Sequence, residues 1–402
     1  MTAEQGSELL GISLRQVRRV LAAYRRDGAA ALSHGNRGRT AAHALDDKIR
    51  SRVLELATSK YIGFNTQHFT EVLAEREQIK LSRSTVRRIL LNAGVTGPRK
   101  RRAPKHRSRR ERWAQEGLLL QIDASHHDWL EGRGPKMVLI GAIDDATGKV
   151  TDAFFRRRED SEGYFRLLQH IAAKHGLPHA FYHDRHSIFV PPRGEEPSIE
   201  EQLEGKKHRT QFGRLLDEMG ITPIKSLSPQ ARGRIERLWG TLQDRLVREL
   251  RLASASTIDE ANQTLKAYLP NHNARFAVPA RQSGSAFRKP PLNWAEHFCF
   301  KYSRVVGQDN VVRIGPYRLQ VLPSNGKANF AHAKVDVRQS FDNTLALYYQ
   351  GIRLETLPSQ AEPATLRKSP VTSQTVIRPR TYSKPPPDHP WRGKFRQHVD
   401  RG

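Results

Sequence analysis

Apolar residues along this chain change their spacing several times, and each change marks a boundary. Over residues 2–24 Leu9, Leu10, Ile12, Leu14, Val17, Val20 and Leu21 recur at helical intervals on either side of Gly11. The pattern predicts helix, tight turn, helix, with Ser13 capping the second. Three more amphipathic stretches follow at 46–57, 66–75 and 82–90, the last capped by Ser82. Between 118 and 155 the helical period disappears. The runs 118–122, 136–143 and 149–155 predict strands, with Asp144-Asp145-Ala146-Thr147-Gly148 as the turn between the second and third.

Strand and helix then alternate: helix 162–175, strand 180–183, helix 210–219, strand 221–224 and helix 229–250. Three antiparallel strands leading into such an alternation predict a mixed α/β sheet with helices on its faces. The loop at 190–208, rich in proline, glycine and charge, interrupts it. Residues 271–276 close this region, and 294–300 read as a helix. Short runs at 311–314, 317–321, 334–338, 345–349 and 352–354, separated by turn residues, predict a small β-barrel. Six segments result: a helix-turn-helix over 1–40, a second helix-turn-helix or winged-helix-like module over 41–98, a basic linker over 99–114, a catalytic-type α/β core over 115–276, the β-barrel over 277–358, and a disordered Pro/Arg-rich tail over 359–402.

Composition narrows the partners. The chain has 402 residues and carries 68 Lys plus Arg against 41 Asp plus Glu, a net charge of +27. That excess attracts polyanions without specifying a fold, and on charge alone a ribosomal or nucleoid-packing protein stays open. The run 99–112 holds nine of the basic residues and no apolar period, the composition of a linker whose charge neutralises phosphates. The stretch 34–39 reads as a shorter flexible basic linker. One cysteine, Cys299, excludes a disulfide framework and a Cys-rich zinc site. No apolar run approaches the ~20 residues of a membrane span, and the first ten residues lack a signal pattern. A bacterial cytoplasmic protein associated with the nucleoid is expected.

Candidate chemistry concentrates on three carboxylates. In Ser228-Pro229-Gln230-Ala231-Arg232-Gly233-Arg234-Ile235-Glu236 the Ser-Pro pair suits a helix start. Glu236 then falls on the second turn, beside an apolar stripe of Ile235, Leu238, Trp239, Leu242, Leu246 and Leu250. Asp123 and Asp184 stand where strands are expected to end. Gathered together, three carboxylates repel, and two Mg²⁺ ions remove that penalty while serving phosphoryl transfer, with Mn²⁺ as a substitute. Asp144 and Asp145 read as turn formers, and Asp128 and Glu131 as loop acids of lower standing. His126-His127 lack a partner pair at zinc-ligand spacing. His183 and His186 flank Asp184 either as packed residues or as groups that tune it or meet DNA. Ser125 lacks the glycine-flanked elbow of a nucleophile.

With Gln121-Ile122-Asp123, Tyr182-His183-Asp184 and the tract ending in Glu236 in place, the chain resembles the DDE integrase/transposase superfamily. Gln121 to Trp129, Ile143-Asp144-Asp145-Ala146-Thr147-Gly148, Thr241 to Leu246 and His389-Pro390-Trp391-Arg392 make it most similar to insertion-sequence transposases of the ISNCY group. The resemblance implies an RNase H-like core with Asp123, Asp184 and Glu236 as metal-binding triad. It also implies a polynucleotidyl transferase that cleaves element ends and joins them to target DNA as a homo-oligomer. The Asp184–Glu236 interval is wider than in retroviral-type integrases, and the 190–208 loop absorbs it. The first helix-turn-helix starts at what reads as its second helix, as a truncated or misassigned gene start would give. Double-stranded DNA is expected to meet Arg15, Gln16, Arg18 and Arg19 in the first module and Arg83, Arg87 and Arg88 in the second. On the Glu236 helix the expected contacts are Arg232, Arg234, Arg237 and Gln243, with Gly233 allowing close approach. The rival readings are a catalytically inactive, domesticated transposase acting as a DNA-binding regulator, and a structure-selective nuclease.

Overall fold

The computed structural model describes residues 2–33, 37, 45–95, 110–191, 209–226, 232–324 and 326–359. The linkers expected at 34–39 and 99–112, the 190–208 loop, the Ser228-Pro229 helix start and the 359–402 tail fall wholly or mostly outside them. The chain divides into two units, Met1–Lys301 with Gln339–Thr344, and Tyr302–Arg338 with Leu345–Gly402.

The first unit begins with helices α1 (Ala3–Leu10) and α2 (Leu14–Asp27). Thr2 and Gln5 form a capping box on α1, Gly11 ends it at φ 62°, and the Ser13 hydroxyl accepts from the Gln16 amide at the start of α2. Three further helices, α3 (Asp47–Thr58), α4 (Thr66–Arg76) and α5 (Arg83–Asn92), are capped by Asp46, Asn65 and Ser82. They enclose their own core, in which Tyr61, Phe69, Leu73 and Val86 are fully buried.

A five-stranded sheet follows in the order β3-β2-β1-β4-β5. Its strands are β1 (Leu119–His127), β2 (Met137–Asp144), β3 (Val150–Arg156), β4 (Ala180–His183) and β5 (Thr222–Lys225). The first three pair antiparallel, while β4 runs parallel to β1 and β5. Side chains alternate across β1. Leu120 and Ile122 enter the cluster under α6 (Ser161–Lys174) and α7 (Gln211–Glu218). The opposite face is covered by α8 (Gly233–Leu252) and α9 (Ile258–Phe276).

Four expectations change. Strand β1 does not end near Asp123 but pairs with β2 as far as His127 opposite Met137, so Asp123 sits in mid-strand. Residues 271–276, expected to close the core, are the last turns of helix α9, which runs through Pro270; the Thr257–Glu260 capping box starts it. Its Asn262 and Asn273 each exchange two hydrogen bonds with the backbone of Phe155 and Val150, so the helix satisfies part of the open edge of β3. The helix expected over 294–300 is a single 3₁₀ turn, Trp294–His297, because Asn293 enters it in the left-handed region and the chain is extended again from Phe300.

The second unit is not a closed barrel among the described residues. Strands β6 (Phe300–Val305), β9 (Lys334–Gln339), β10 (Leu345–Tyr349) and β11 (Ile352–Leu354) form a sheet ordered β11-β10-β9-β6. Strands β7 (Val311–Ile314), β8 (Tyr317–Val321) and β12 (Thr356–Pro358) form another, β12-β8-β7. Both sheets line one core containing Val312, Val321, Val337 and Leu347. The three-residue strands β11 and β12 each end a sheet and offer too little backbone to close it. Among the described residues no helix is long and apolar enough to cross a membrane.

The α3–α5 module is tied to α8 and α9 by charge. The buried Glu249 carboxylate meets His68 at 3.0 Å and Arg76 at 2.6 Å, while Glu71 meets Arg245 at 2.5 Å and Arg275 at 2.7 Å. Near this contact lies His272 on α9, buried between Tyr268 and Phe276. Burial, reinforced by Arg245 and Arg275, lowers its pKa from 6.5 to about 4. The folded chain therefore binds its proton more weakly than the unfolded chain. Stability is complete above the unfolded value and falls as the pH drops from 6.5 toward 4, by at most about 3 kcal/mol. Urea unfolding at pH 7.5 and pH 5 should show His272→Phe losing about 2 kcal/mol less on acidification than the parent chain. Equal losses would remove His272 as the cause.

Candidate active site

Strand β1 offers α8 a polar stripe, Gln121, Asp123 and Ser125, in place of an apolar one. Each member meets the helix at four-residue intervals. The Gln121 Oε1 accepts from the Ile235 amide at 3.2 Å, the Trp239 indole N–H donates to Asp123 Oδ2 at 3.0 Å, and Gln243 donates to the Ser125 hydroxyl at 3.1 Å. Two strand residues advance about 6.8 Å and four helix residues about 6.0 Å, so the two repeats stay nearly in step. The Ile235 amide belongs to the first turn of α8, whose donors have no intrahelical partner, and Gln121 satisfies one of them within the core.

Gly141 makes the middle rung possible. It stands opposite Asp123 on β2, and a β-carbon there would lie 3.2 Å from the Trp239 ring and 3.0 Å from the Ala153 β-carbon. The missing side chain leaves the indole room to lie on the sheet.

Asp184 follows the last residue of β4. The β1–β4 pairing ends with Gln121 opposite Tyr182, and Asp123 and Asp184 each lie two residues further along their chains. Arg232, the residue before α8, ion-pairs with Asp123 and reaches Asp184 at 3.4 Å. One guanidinium thus lies between two carboxylates, and its buried Nε has no hydrogen-bond partner among the described residues. Burial raises the Asp123 pKa despite Arg232 and Trp239, whereas Asp184 is more open and also accepts from the His186 amide at 2.9 Å. Glu236 is exposed. At about 100° per residue it lies about 40° around α8 from Arg232 and about 60° from Trp239, the two residues that grip Asp123. Among the described residues no three His, Cys, Asp or Glu side chains come close enough together to hold a metal ion.

Other sequence candidates have definite places. Asp144 forms its turn, accepting from the Thr147 amide and hydroxyl and from the Gly117 amide. Asp145 does more than turn the chain: fully buried, it gathers Gln121 at 2.7 Å, Arg234 at 2.9 Å, the Trp113 amide at 2.9 Å and Arg110. Arg234, expected on DNA, is committed to that carboxylate and to the Arg110 carbonyl. Gln243, also expected on DNA, is a rung of the ladder. Arg237 remains exposed, its Nε donating to the Gly233 carbonyl. His183 is a packed residue, buried at 4.7 Å from the Phe189 ring, with its pKa lowered by burial. Glu131 pairs with Arg251 and Arg133, Asp128 caps a turn at Gly132, and His126 meets Glu159 at 3.0 Å. Arg15, Gln16, Arg18 and Arg19 on α2 are exposed, as are Arg83, Arg87 and Arg88 on α5. Among the described residues none of these arginines pairs with a carboxylate. The sequence reading missed Gln121, Gly141, Asp145 and Trp239; a polar residue and a glycine inside apolar strands were the available signals.

Residues 16–90 match a family described as a homeodomain-like domain. A protein named putative transposase y4bF from Sinorhizobium fredii is 36% identical over 312 residues, covering 76% of this chain and 66% of its own length. The transposase for insertion sequence IS1202 from Streptococcus pneumoniae is 34% identical over 312 residues, covering 68% of this chain and 64% of its own. The chain thus spans about two thirds of the length of these curated relatives. Among solved structures, a simian T-cell lymphotropic virus intasome in complex with PP2A regulatory subunit B56 gamma overlaps 77% of this chain and all of its own, at 15% identity and a TM-score of 0.32. The HTLV-2 integrase catalytic core domain in complex with magnesium overlaps 38% of this chain and 84% of its own, at 17% identity and a TM-score of 0.26.

The ladder can be tested apart from any activity. Gln121→Leu keeps the volume but leaves the buried Ile235 amide without an acceptor, and should cost about 1–3 kcal/mol in urea unfolding. A loss below about 0.5 kcal/mol would mean that the rung does not hold the helix.

Proposed function

We propose, for a chain that belongs to the DDE transposase/integrase superfamily, that it is an insertion-sequence transposase which binds element ends, cleaves them and joins them to target DNA. The observation that carries the reading is that Asp123 in β1 and Asp184, just past the end of the parallel strand β4, share one cation, Arg232. Two carboxylates brought this near repel unless a positive charge compensates them. The donor set, hard carboxylate oxygens with Glu236 one helical turn beyond Arg232, suits Mg²⁺ and by the same chemistry Mn²⁺. Asp123, Asp184 and Glu236 would hold the metal, two ions being the expected number. Bound there, it would polarise the scissile phosphate and lower the pKa of an attacking water or 3′-hydroxyl.

The chain's own groups prepare that site. Trp239 fixes the Asp123 carboxylate through one oxygen. Gln121, Asp145 and Arg234 anchor the start of α8, and with it the position of Glu236. The sheet order β3-β2-β1-β4-β5 supports an RNase H-like core. Residues 16–90 supply the DNA grip: the exposed arginines of α2 and α5 suit phosphates and base edges, and each phosphate contact steepens the salt dependence. Joining two element ends calls for a homo-oligomer assembled on double-stranded DNA, acting at the bacterial nucleoid.

The test is an incubation with Mg²⁺ and labelled duplexes carrying the sequences that flank the gene. The parent chain should cut and join. Asp123→Asn, Asp184→Asn and Glu236→Gln should each lower product by about a thousandfold or more. Their DNA affinity in EDTA should stay within about threefold, a difference under 1 kcal/mol. Cleavage that survives Glu236→Gln would remove that residue from the triad. Nicking without joining would make the protein a nuclease, and binding without cutting a regulator.

A further inference from the structure

On the flank of α8 away from Asp184, arginines gather around a buried carboxylate. Arg110 and Arg234 ion-pair with the fully buried Asp145, Arg112 donates to its backbone carbonyl, and Arg237 lies near enough to Arg234 to act on its charge. Arg112 gives its hydrogen bonds to the Asp145 and Ala146 carbonyls at 3.2 Å, contacts that leave its charge uncompensated. Burial lowers the Arg234 pKa, and although Asp145 opposes this, the other three arginines add to it. Among the described residues this cluster carries more positive than negative charge.

Beside it opens a cleft of about 240 Å³ lined by Arg112, Arg234, Arg237, Leu238, His272 and Phe276, with no carboxylate among its lining residues. Phe276 keeps 38% of its surface exposed although Arg245 stacks on it at 4.9 Å, and His272, with its pKa near 4, is a neutral ring at pH 7. His272 lies buried 4.8 Å behind Phe276, so the exposed Phe276 ring is the aromatic face a planar ligand meets. The volume falls below the roughly 300–1,000 Å³ of drug-sized sites, so one ring system fits and a stack of two does not.

We propose that this cleft binds a single nucleotide of a DNA strand, with the phosphate against Arg112 and Arg237 and the base turned out of its stack against Phe276. The inference rests on the reading of the chain as a DNA-acting protein, and assigns it a subsite apart from the Asp123–Asp184 pair. Arg supplies a forked donor for phosphate, and an exposed aromatic face next to it takes any base. The two sites share α8: Arg232 and Glu236 face one flank, Arg237 and Thr241 the other, so one strand crossing the start of the helix meets both.

Calorimetric titration in EDTA with thymidine 5′-monophosphate, inorganic phosphate and thymidine separates the contributions without any catalysis. The monophosphate should bind about tenfold tighter than phosphate, the gain expected from one stacked base. Arg237→Glu should weaken it at least tenfold, and Phe276→Ala should reduce it to the level of phosphate. Phe276→Leu, with a melting temperature for each variant, guards against loss of folding. Because the titration contains EDTA and reads no cleavage, loss of binding here and loss of cutting at the metal site are distinguishable. Equal affinity for monophosphate and phosphate overturns the base contact. Absence of binding, or binding indifferent to Arg237→Glu, overturns the site.

Discussion

The hydrogen-bond ladder between β1 and α8 is the constraint on which the rest depends. A sheet buries helices through apolar side chains, yet here the strand at its centre offers a glutamine, an aspartate and a serine to the helix that covers it. A buried polar group is tolerated only when its partners are present. The helix supplies a backbone amide, an indole N–H and a carboxamide at four-residue steps, and the match of about 6.8 Å to about 6.0 Å keeps all three engaged. A shift of α8 by one residue would break every rung at once. The ladder therefore fixes the rotation and axial position of the helix, and through them the placement of Arg232 and Glu236.

Electrostatics reinforce this frame. Asp145, buried without solvent, holds the linker at Arg110 and Trp113 to the start of α8 through Arg234. Removing one partner from such a node costs far more than the node contributes, because a buried charge is left unmatched. The site thus combines a rigid, satisfied polar network behind α8 with incompletely compensated charge on either side of it: an acidic pair near Arg232 and an arginine cluster near Arg237. That distribution suits a chain of phosphates, negative where a cation must sit between protein and DNA and positive where the protein meets phosphate directly.

The α3–α5 module joins the core by paired charges at Glu249 and Glu71 rather than by an extended apolar face. His68, Arg245 and Glu249 are nearly excluded from solvent, so losing one partner leaves a charge or polar group unmatched in the interior. The contact is accordingly specific in register, while the exposed arginines of α5 stay clear of it.

Much was legible in the chain itself. Caps at Ser13 and Ser82, the strand-turn-strand at Asp144 to Gly148, and the alternation after residue 160 are local signals, set by side chains within a few positions of one another, and the corresponding elements form. The motif tracts around Asp123, Asp184 and Glu236 led to the superfamily for a similar reason: short ordered patterns survive in sequence. Local patterns could not reveal that β1 continues past Asp123, that α9 runs through Pro270, or that the last strands form two sheets, because each outcome depends on pairing with residues far along the chain. Nor could they show that Arg234 and Gln243 are occupied inside the protein, or that Gly141 makes room for Trp239. Those facts belong to the packing of α8 on the sheet, where a partner more than 80 residues distant decides whether a polar side chain meets solvent, DNA or the core.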